Sequence, residues 1–426
     1  MTIIEVRPSA VVGKVRAPPS KSYTHRALIA GHLAGRRYRV VHPLAADDTR
    51  ATRRGLAALG TTFTATADAW SMRPSRARPG PGALARIHCG ESGTTLRFLV
   101  ALAAGQPRPA RFDGRPQLAR RPIEGLLRPL RAAGASTTLP KRGSLPLRLE
   151  GPIRPGRFVV DGSVSSQYIS GLLFVLPTLP SASTLRVTGE AVSAPYIRAT
   201  ESVLRAHGIR FARQGARWRI AGGQRYRGDR FDVPGDASSA AYLWVAAALS
   251  GGSVEVSGVP QEWPQADRAI LPILRAAGAS VWERGDSVRV VGPATEGFDV
   301  DLTGSPDLYP LVGVLASGIP ASSRLRGAPH LVFKESDRKL ATLRLARAMG
   351  AAVTASRGAL RIRGARTVRS LRLRDLDDHR VVMSAAVAGL VGAGPTTLGD
   401  ARAVAKSFPS FWRVLAKLGG EVRAVR

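Results

Sequence analysis

The chain has 426 residues, 44% of them hydrophobic and 22% charged, with 63 Lys and Arg against 30 Asp and Glu for a formal charge of +33. The length points to two domains and the balance is that of a soluble globular protein. A single cysteine, Cys89, excludes an internal disulfide, and the longest apolar stretches, such as 171–179 with Pro177, are too short to span a membrane. The N-terminus carries no basic-then-apolar leader, so a cytoplasmic protein is expected. The arginines are spread along the whole chain, and aromatics, at 6%, leave little for bases to stack on. The excess charge therefore reads as solvated surface plus a cleft for small polyanions. A basic nucleic-acid-binding protein is the alternative from another class.

In chain order, the first element is a helix beginning after Pro18-Pro19. The Pro pair is stiff, and Ser20-Lys21-Ser22 precede an apolar helical pattern, so they fall at a helix N-terminus. Unpaired N–H groups and the helix dipole favour an anion there. Lys21, the Ser22 hydroxyl and Arg26 one turn later add charge and donors, although an ordinary capped helix reads the same way. Next, Gly90-Glu91-Ser92-Gly93-Thr94-Thr95-Leu96-Arg97 is a Gly/Ser/Thr-rich turn opening a helix, followed by Arg121 before Pro122. Residues 161–168, Asp-Gly-Ser-Val-Ser-Ser-Gln-Tyr, share that design. So do residues 235–240, for which helix capping is the favoured reading. Lys334-Glu335-Ser336-Asp337-Arg338 packs both signs closely, as an anion site with a proton-transfer carboxylate or a surface ion-pair cluster would. Asp378-His379-Arg380 and Lys406-Ser407-Phe408-Pro409 complete the basic junctions.

An internal repeat organises these pieces. A helix end runs into glycine at Gly60, Gly134, Gly208, Gly278, Gly350 and Gly419, spacings of about 70 residues, and alternating strand patterns follow each one. One hairpin is expected over 279–283 and 287–291, turning at 284–286. Six such α/β units fit two domains of three. Solenoid repeats are shorter. Pro18-Pro19 and Val233-Pro234-Gly235-Asp236 have breaker chemistry. The expected domains are 1–19 with 234–426, discontinuous, and 20–233, inserted, with the active site in the cleft between them. The sequence has no HExxH, no paired cysteines, no Walker lysine loop and no GxGxxG. Asp378-His379 lacks the GxSxG elbow of a serine hydrolase. Cys89 reads as a small buried residue.

Taken together in order, these motifs resemble the 5-enolpyruvylshikimate-3-phosphate synthase family. They are Pro-Ser-Lys-Ser…Arg at 19–26, Gly-Thr-Thr…Arg at 93–97, Arg-Arg-Pro-Ile at 120–123 and Asp-Gly-Ser-Val-Ser-Ser-Gln at 161–167. Ser-Ala-Pro-Tyr at 193–196, Gly-Asp-Ala-Ser-Ser-Ala at 235–240, Lys-Glu-Ser-Asp-Arg at 334–338, Asp-His-Arg at 378–380 and Ala-Lys-Ser-Phe-Pro at 405–409 continue the set. The resemblance implies an α/β fold of two domains, each of three βαβαββ units in an inside-out α/β barrel, closing on substrate. It implies transfer of the enolpyruvyl group of phosphoenolpyruvate to the 5-hydroxyl of shikimate 3-phosphate, with release of phosphate, in the shikimate pathway to chorismate and the aromatic amino acids. Another enolpyruvyl transferase of the same fold is the near alternative.

By the same resemblance, Lys21, Ser22, Arg26, Ser165, Ser166, Gln167, Ser193, Tyr196, Asp307 and Lys334 hold shikimate 3-phosphate. Lys21, Gly93, Arg121, Gln167, Arg338, Arg380 and Lys406 hold phosphoenolpyruvate. Asp307 accepts the 5-hydroxyl proton and Glu335 manages the methylene proton. Lys21 and His379 complete the catalytic set, with Asp48 a secondary candidate. No metal or organic cofactor is implied. The expected partners are the two small-molecule substrates, with no nucleic acid and no membrane, and the expected state is a monomer. Two residues depart from the family pattern: Glu91 where Asn is common, and Phe98 where Pro is common. A carboxylate at Glu91 would repel phosphoenolpyruvate unless it points away. Gly93 is kept, so competition by glyphosate is expected to persist.

Overall fold

The computed structural model describes residues 3–75, 82–327, 329–356, 358–374, 376 and 378–425. The six repeat glycines all turn the chain in the left-handed region, with φ between +73° (Gly208) and +107° (Gly134). A side chain there would be strained, so glycine is what lets each helix end abruptly and feed a hairpin. The hairpin expected after Gly278 forms from Ser280–Arg284 and Ser287–Val291. Its turn is the two residues Gly285-Asp286, one shorter than expected, because Arg284 pairs with Ser287.

Among the described residues the strands build six four-stranded sheets. One unit shows the rule. Ala85–His88 lies parallel to Ala110–Asp113, with the helix Gly93–Ala104 in the crossover that a parallel pair requires. Ala110–Asp113 then pairs antiparallel with Leu147–Glu150, which pairs with Ser136–Thr138. The sheets containing Arg157–Asp161 and Asp299–Asp301 repeat this order from contiguous chain. The other three are completed by a strand from a distant part of the chain. Tyr38–Val41 takes Arg230–Asp232, and Ser253–Ser257 takes Val12–Arg16. Ile3–Arg7 inserts between Thr396–Leu398 and Glu421–Val425.

The chain folds as two compact units, Met1–Pro18 with Pro234–Arg426, and Pro19–Val233. Each holds three of the sheets. Within a unit the strands alternate: Val254 and Val256 are buried while Ser253, Glu255 and Ser257 are half-exposed, as for a sheet with one wet face. The helices they cover are apolar nearly all round, such as Ala237–Ser250 with Leu243, Trp244 and Val245. In the second unit, Lys21–Ala34 (α1), Asp47–Ala58 (α2) and Gly93–Ala104 (α3) lie side by side. A Cβ on Gly55 would come within 2.3 Å of Leu99 Cδ1, so a side chain there would force the buried Leu99 of α3 to shift. No described helix is long and apolar enough to cross a membrane. Cys89 is buried, and burial pushes its thiol pKa up.

Candidate active site

Burying the apolar helix bodies leaves the polar residues of the repeat at helix N-termini, where backbone donors are unpaired. In the unit Pro19–Val233, Ser20 caps α1 by accepting from the Tyr23 amide, so Lys21 is the first helical residue. Lys21 Nζ lies 3.2 Å from Asp48 Oδ2, both nearly buried. Arg26 is fully engaged with the protein. Its Nη1 donates to Ser22 Oγ at 2.7 Å and to the Ser22 carbonyl at 2.9 Å. Its Nε donates to Thr200 Oγ1 at 2.9 Å and its Nη2 to the Tyr196 carbonyl at 2.8 Å. Burial lowers its pKa to about 10. Arg26 thus joins α1 to the helix Ala194–Ala206, and it orients Ser22 and Tyr196.

Ser92 caps α3 by accepting from the Thr95 amide at 3.1 Å, which puts Gly93 at the first turn. The Arg121 guanidinium covers that glycine. Gln167, two residues into the helix capped by Ser165, has both ends of its amide fixed. Its Nε2 donates to Thr94 Oγ1 at 2.8 Å, and its Oε1 accepts from Arg97 Nη1 at 2.7 Å. Arg97 Nη2 reaches the Pro122 carbonyl at 3.0 Å. Arg97 is a residue the resemblance assigned no role, although its place one turn after Gly93 in a quoted motif marked it. Ser166 is buried beside Ser165. Ser193 adopts a left-handed φ of +56°, unusual for a residue with a side chain, and its carbonyl accepts from the Tyr196 amide. Glu91 is turned to Arg115, with Oε1 3.3 Å from Nη1. Phe98 packs edge-on against Phe174 and under the Arg26 guanidinium.

The unit Met1–Pro18 with Pro234–Arg426 carries the second cluster. Asp307 lies in the turn Pro306–Leu308 that opens a helix. Its Oδ1 accepts from Arg338 Nη1 at 2.6 Å and lies 3.5 Å from Lys334 Nζ, and its Oδ2 accepts from Arg380 Nη2 at 3.0 Å. Arg338, only 1% exposed, also gives Nη2 to Glu335 Oε2 at 2.6 Å and Nε to Asp378 Oδ2 at 2.8 Å. Burial acts to lower the Arg338 pKa, but Asp378, Glu335 and Asp307 outweigh it and hold it above its ordinary value. Asp378 caps the helix His379–Gly389 by accepting from the Arg380 amide at 2.9 Å. His379 is buried with Nδ1 3.7 Å from Asp378 Oδ1. Lys406 ends the short helix Ala401–Lys406, half-buried.

Asp236 caps its helix through the Ser239 amide at 2.7 Å. The same loop does more than cap: Ser238 donates to Asp267 Oδ2. Asp267 is 1% exposed, and its pKa is raised to about 6 by burial first and by Asp307 second, against Arg380. Nothing in the linear pattern distinguished it, because the groups around it come from distant parts of the chain. The structure gathers Lys21, Asp48, Arg26 and Ser22 in one unit, and Asp307, Lys334, Glu335, Arg338, Asp378 and Arg380 in the other.

Known proteins are similar to this chain over nearly its whole length. The family described as EPSP synthase (3-phosphoshikimate 1-carboxyvinyltransferase) matches residues 6–415. A relative from Methanocorpusculum labreanum named 3-phosphoshikimate 1-carboxyvinyltransferase is 36% identical over 415 residues, covering 97% of this chain and 98% of that one. One of the same name from Halobacterium salinarum is 38% identical over 98% of both. A solved EPSP synthase from Acinetobacter baumannii has a TM-score of 0.83 over 100% of both chains at 24% identity, a likeness of fold.

Proposed function

This chain belongs to the EPSP synthase family, and we propose on that footing that its two cation clusters serve one reaction. The enolpyruvyl group of phosphoenolpyruvate passes to the 5-hydroxyl of shikimate 3-phosphate, and phosphate is released. The enzyme is a transferase of the shikimate pathway. In the addition step the 5-hydroxyl oxygen bonds to C2 of phosphoenolpyruvate, its proton goes to Asp307, and C3 takes a proton from Glu335. In the elimination step the bond from C2 to the phosphate oxygen breaks, the departing phosphate takes up the proton that Asp307 gained, C3 returns a proton to Glu335, and the double bond re-forms.

The observation that carries this reading is the sharing of Asp307 by Lys334, Arg338 and Arg380. Cations that share one carboxylate can turn to an anionic substrate and leave that carboxylate ionised beside the reacting hydroxyl. Glu335 hangs on the same Arg338, so base and acid share one rigid support.

In the other unit, Ser165, Ser166, Gln167, Ser193 and Tyr196, with Lys21, Ser22 and Arg26, hold shikimate 3-phosphate. Gly93, Arg121 and Lys21 hold phosphoenolpyruvate, together with Arg338, Arg380 and Lys406. Arg26 and Arg338 also orient neighbours, through the protein acceptors that their guanidinium groups meet. His379 lies beside Asp378, with Nδ1 3.7 Å from Oδ1. The reading makes the protein a cytoplasmic monomer acting on small molecules. The test is phosphate release from phosphoenolpyruvate. Release that requires shikimate 3-phosphate is expected. Release independent of it, or none, would overturn the reading.

A further inference from the structure

The three helices that carry Lys21, Asp48 and Gly93 are tied by a buried polar chain whose inner members, His25, Thr52 and Thr95, the reaction does not use. α1 and α2 meet in two rungs, each advanced by four residues on its own helix. The outer rung is Lys21 Nζ to Asp48 Oδ2 at 3.2 Å. The inner rung is His25 Nδ1 to Thr52 Oγ1 at 2.8 Å. From there Thr52 Oγ1 meets Thr95 Oγ1 of α3 at 2.7 Å. Thr95 Oγ1 in turn reaches Ser92 Oγ at 2.8 Å and the Asp48 carbonyl at 3.2 Å. His25, Thr52, Ser92 and Thr95 are all buried. Burial foremost, with Lys21 and Arg26 adding to it, holds the His25 pKa well below its ordinary value, so the ring is neutral at neutral pH.

Such a chain is a poor way to gain stability. Hydroxyls and an imidazole lose water on burial, and matched apolar groups of the same shape would cost nothing comparable. What hydrogen bonds add over apolar packing is direction: one register between helices. The register fixed here is that of the α3 N-terminus, where Gly93 lies, against Lys21 and Asp48. We propose that Thr52 is a positioning residue, its hydroxyl joining His25 to Thr95 so that the Gly93 turn and the Lys21–Asp48 pair are held in one geometry for phosphoenolpyruvate. The role in catalysis rests on the function proposed above. The mechanical role does not.

The test uses the full-length enzyme with Thr52→Val, which keeps the shape and removes the hydroxyl, and Thr52→Ser, which keeps the hydroxyl. Thr52→Val should raise KM for phosphoenolpyruvate about tenfold, the scale of one lost hydrogen bond, and lower the melting temperature by a few degrees, because His25 and Thr95 lose a buried partner. Thr52→Ser should restore KM to within about twofold. Thr95→Val should raise KM at least as much, since it also removes the contacts to Ser92 and the Asp48 carbonyl, and the double variant should be no worse than Thr95→Val alone, because both cut one chain. Backbone hydrogen exchange in the ligand-free protein supplies a readout independent of activity: Thr52→Val should speed exchange in segments 20–26 and 92–97 and leave the rest unchanged. Unaltered KM and unaltered exchange in Thr52→Val would overturn the proposal. So would a loss that Thr52→Ser fails to restore. If the unmodified enzyme releases no phosphate, the proposed function fails, and the exchange measurement alone decides the role of Thr52.

Discussion

Arg121 lies against Gly93 so closely that a Cβ built on the glycine would meet the guanidinium carbon at 2.8 Å and both terminal nitrogens within 2.9 Å. The clashing atoms are the far end of a flexible side chain, so a methyl there displaces Arg121 without breaking the fold. Gly93→Ala should therefore raise KM for phosphoenolpyruvate about tenfold or more, the worth of one charge-assisted contact. Binding of shikimate 3-phosphate and the melting temperature should stay nearly constant. Steady-state kinetics with each substrate varied in turn checks this. An equal rise for both substrates would mean that Arg121 does not serve phosphoenolpyruvate.

Asp307→Asn should cut turnover by roughly 100- to 10,000-fold, the usual scale for loss of a general base. The amide keeps the shape but cannot take the 5-hydroxyl proton. It also removes the shared counter-charge of Lys334, Arg338 and Arg380, so affinity for anionic substrates should hold or improve. Calorimetric titration with shikimate 3-phosphate beside the kinetic assay separates the two effects. Near-normal turnover would move the base role to Glu335.

Ser165→Ala combined with Ser166→Ala should weaken shikimate 3-phosphate by on the order of 3 kcal/mol if both hydroxyls meet its phosphate. Phosphoenolpyruvate should be much less affected. Ser165 also accepts from the Gln167 amide at 3.3 Å as a helix cap, so a stability loss of about 1 kcal/mol is expected as well. Binding titrations with each substrate are the check. Equal loss for both would mean the loop serves no single phosphate.

Asp267 gives a pH signature. Its pKa is about 6 in the folded protein against 3.8 for an unperturbed aspartate. Between those values the folded state binds more protons than the unfolded one, so this group's contribution falls as pH rises from about 4 to 6. Asp267→Asn carries no such proton, and the variant should gain stability relative to the unmodified enzyme across that window. The gain should then stay level at neutral pH. Denaturant unfolding of both proteins at steps from pH 4.5 to 7.5 measures the difference, and parallel curves would show that Asp267 is not perturbed. Lost cooperation with Ser238 would shift both ends of the difference curve equally and leave its slope.

The repeat was legible in the linear chain because its causes are local. A glycine that must take positive φ marks each helix end, whatever surrounds it, and period-two patterns mark the hairpins. The helix N-termini at Ser20, Ser92, Ser165 and Asp378 were legible for the same reason, since a cap is decided within three residues. The motifs placed the chain in its family, because an ordered set of them is far more specific than any one.

What the tertiary structure alone decided is everything that depends on distant partners. That Arg26 and Arg338 spend their donors on protein, that Arg97 sets the Gln167 amide, and that Glu91 faces Arg115 all follow from contacts across tens of residues. So do the borrowed strands Ile3–Arg7, Val12–Arg16 and Arg230–Asp232, whose partners lie up to hundreds of residues away. Asp267 and Thr52 are the clearest cases. Each is unremarkable among its neighbours in sequence, and each acquires its chemistry only when folding removes water from it and brings up a hydroxyl or a charge from another element. Local propensity acts along the chain, whereas desolvation and pairing act through space, so capping and turns can be read from the sequence and the tuning of buried polar groups cannot.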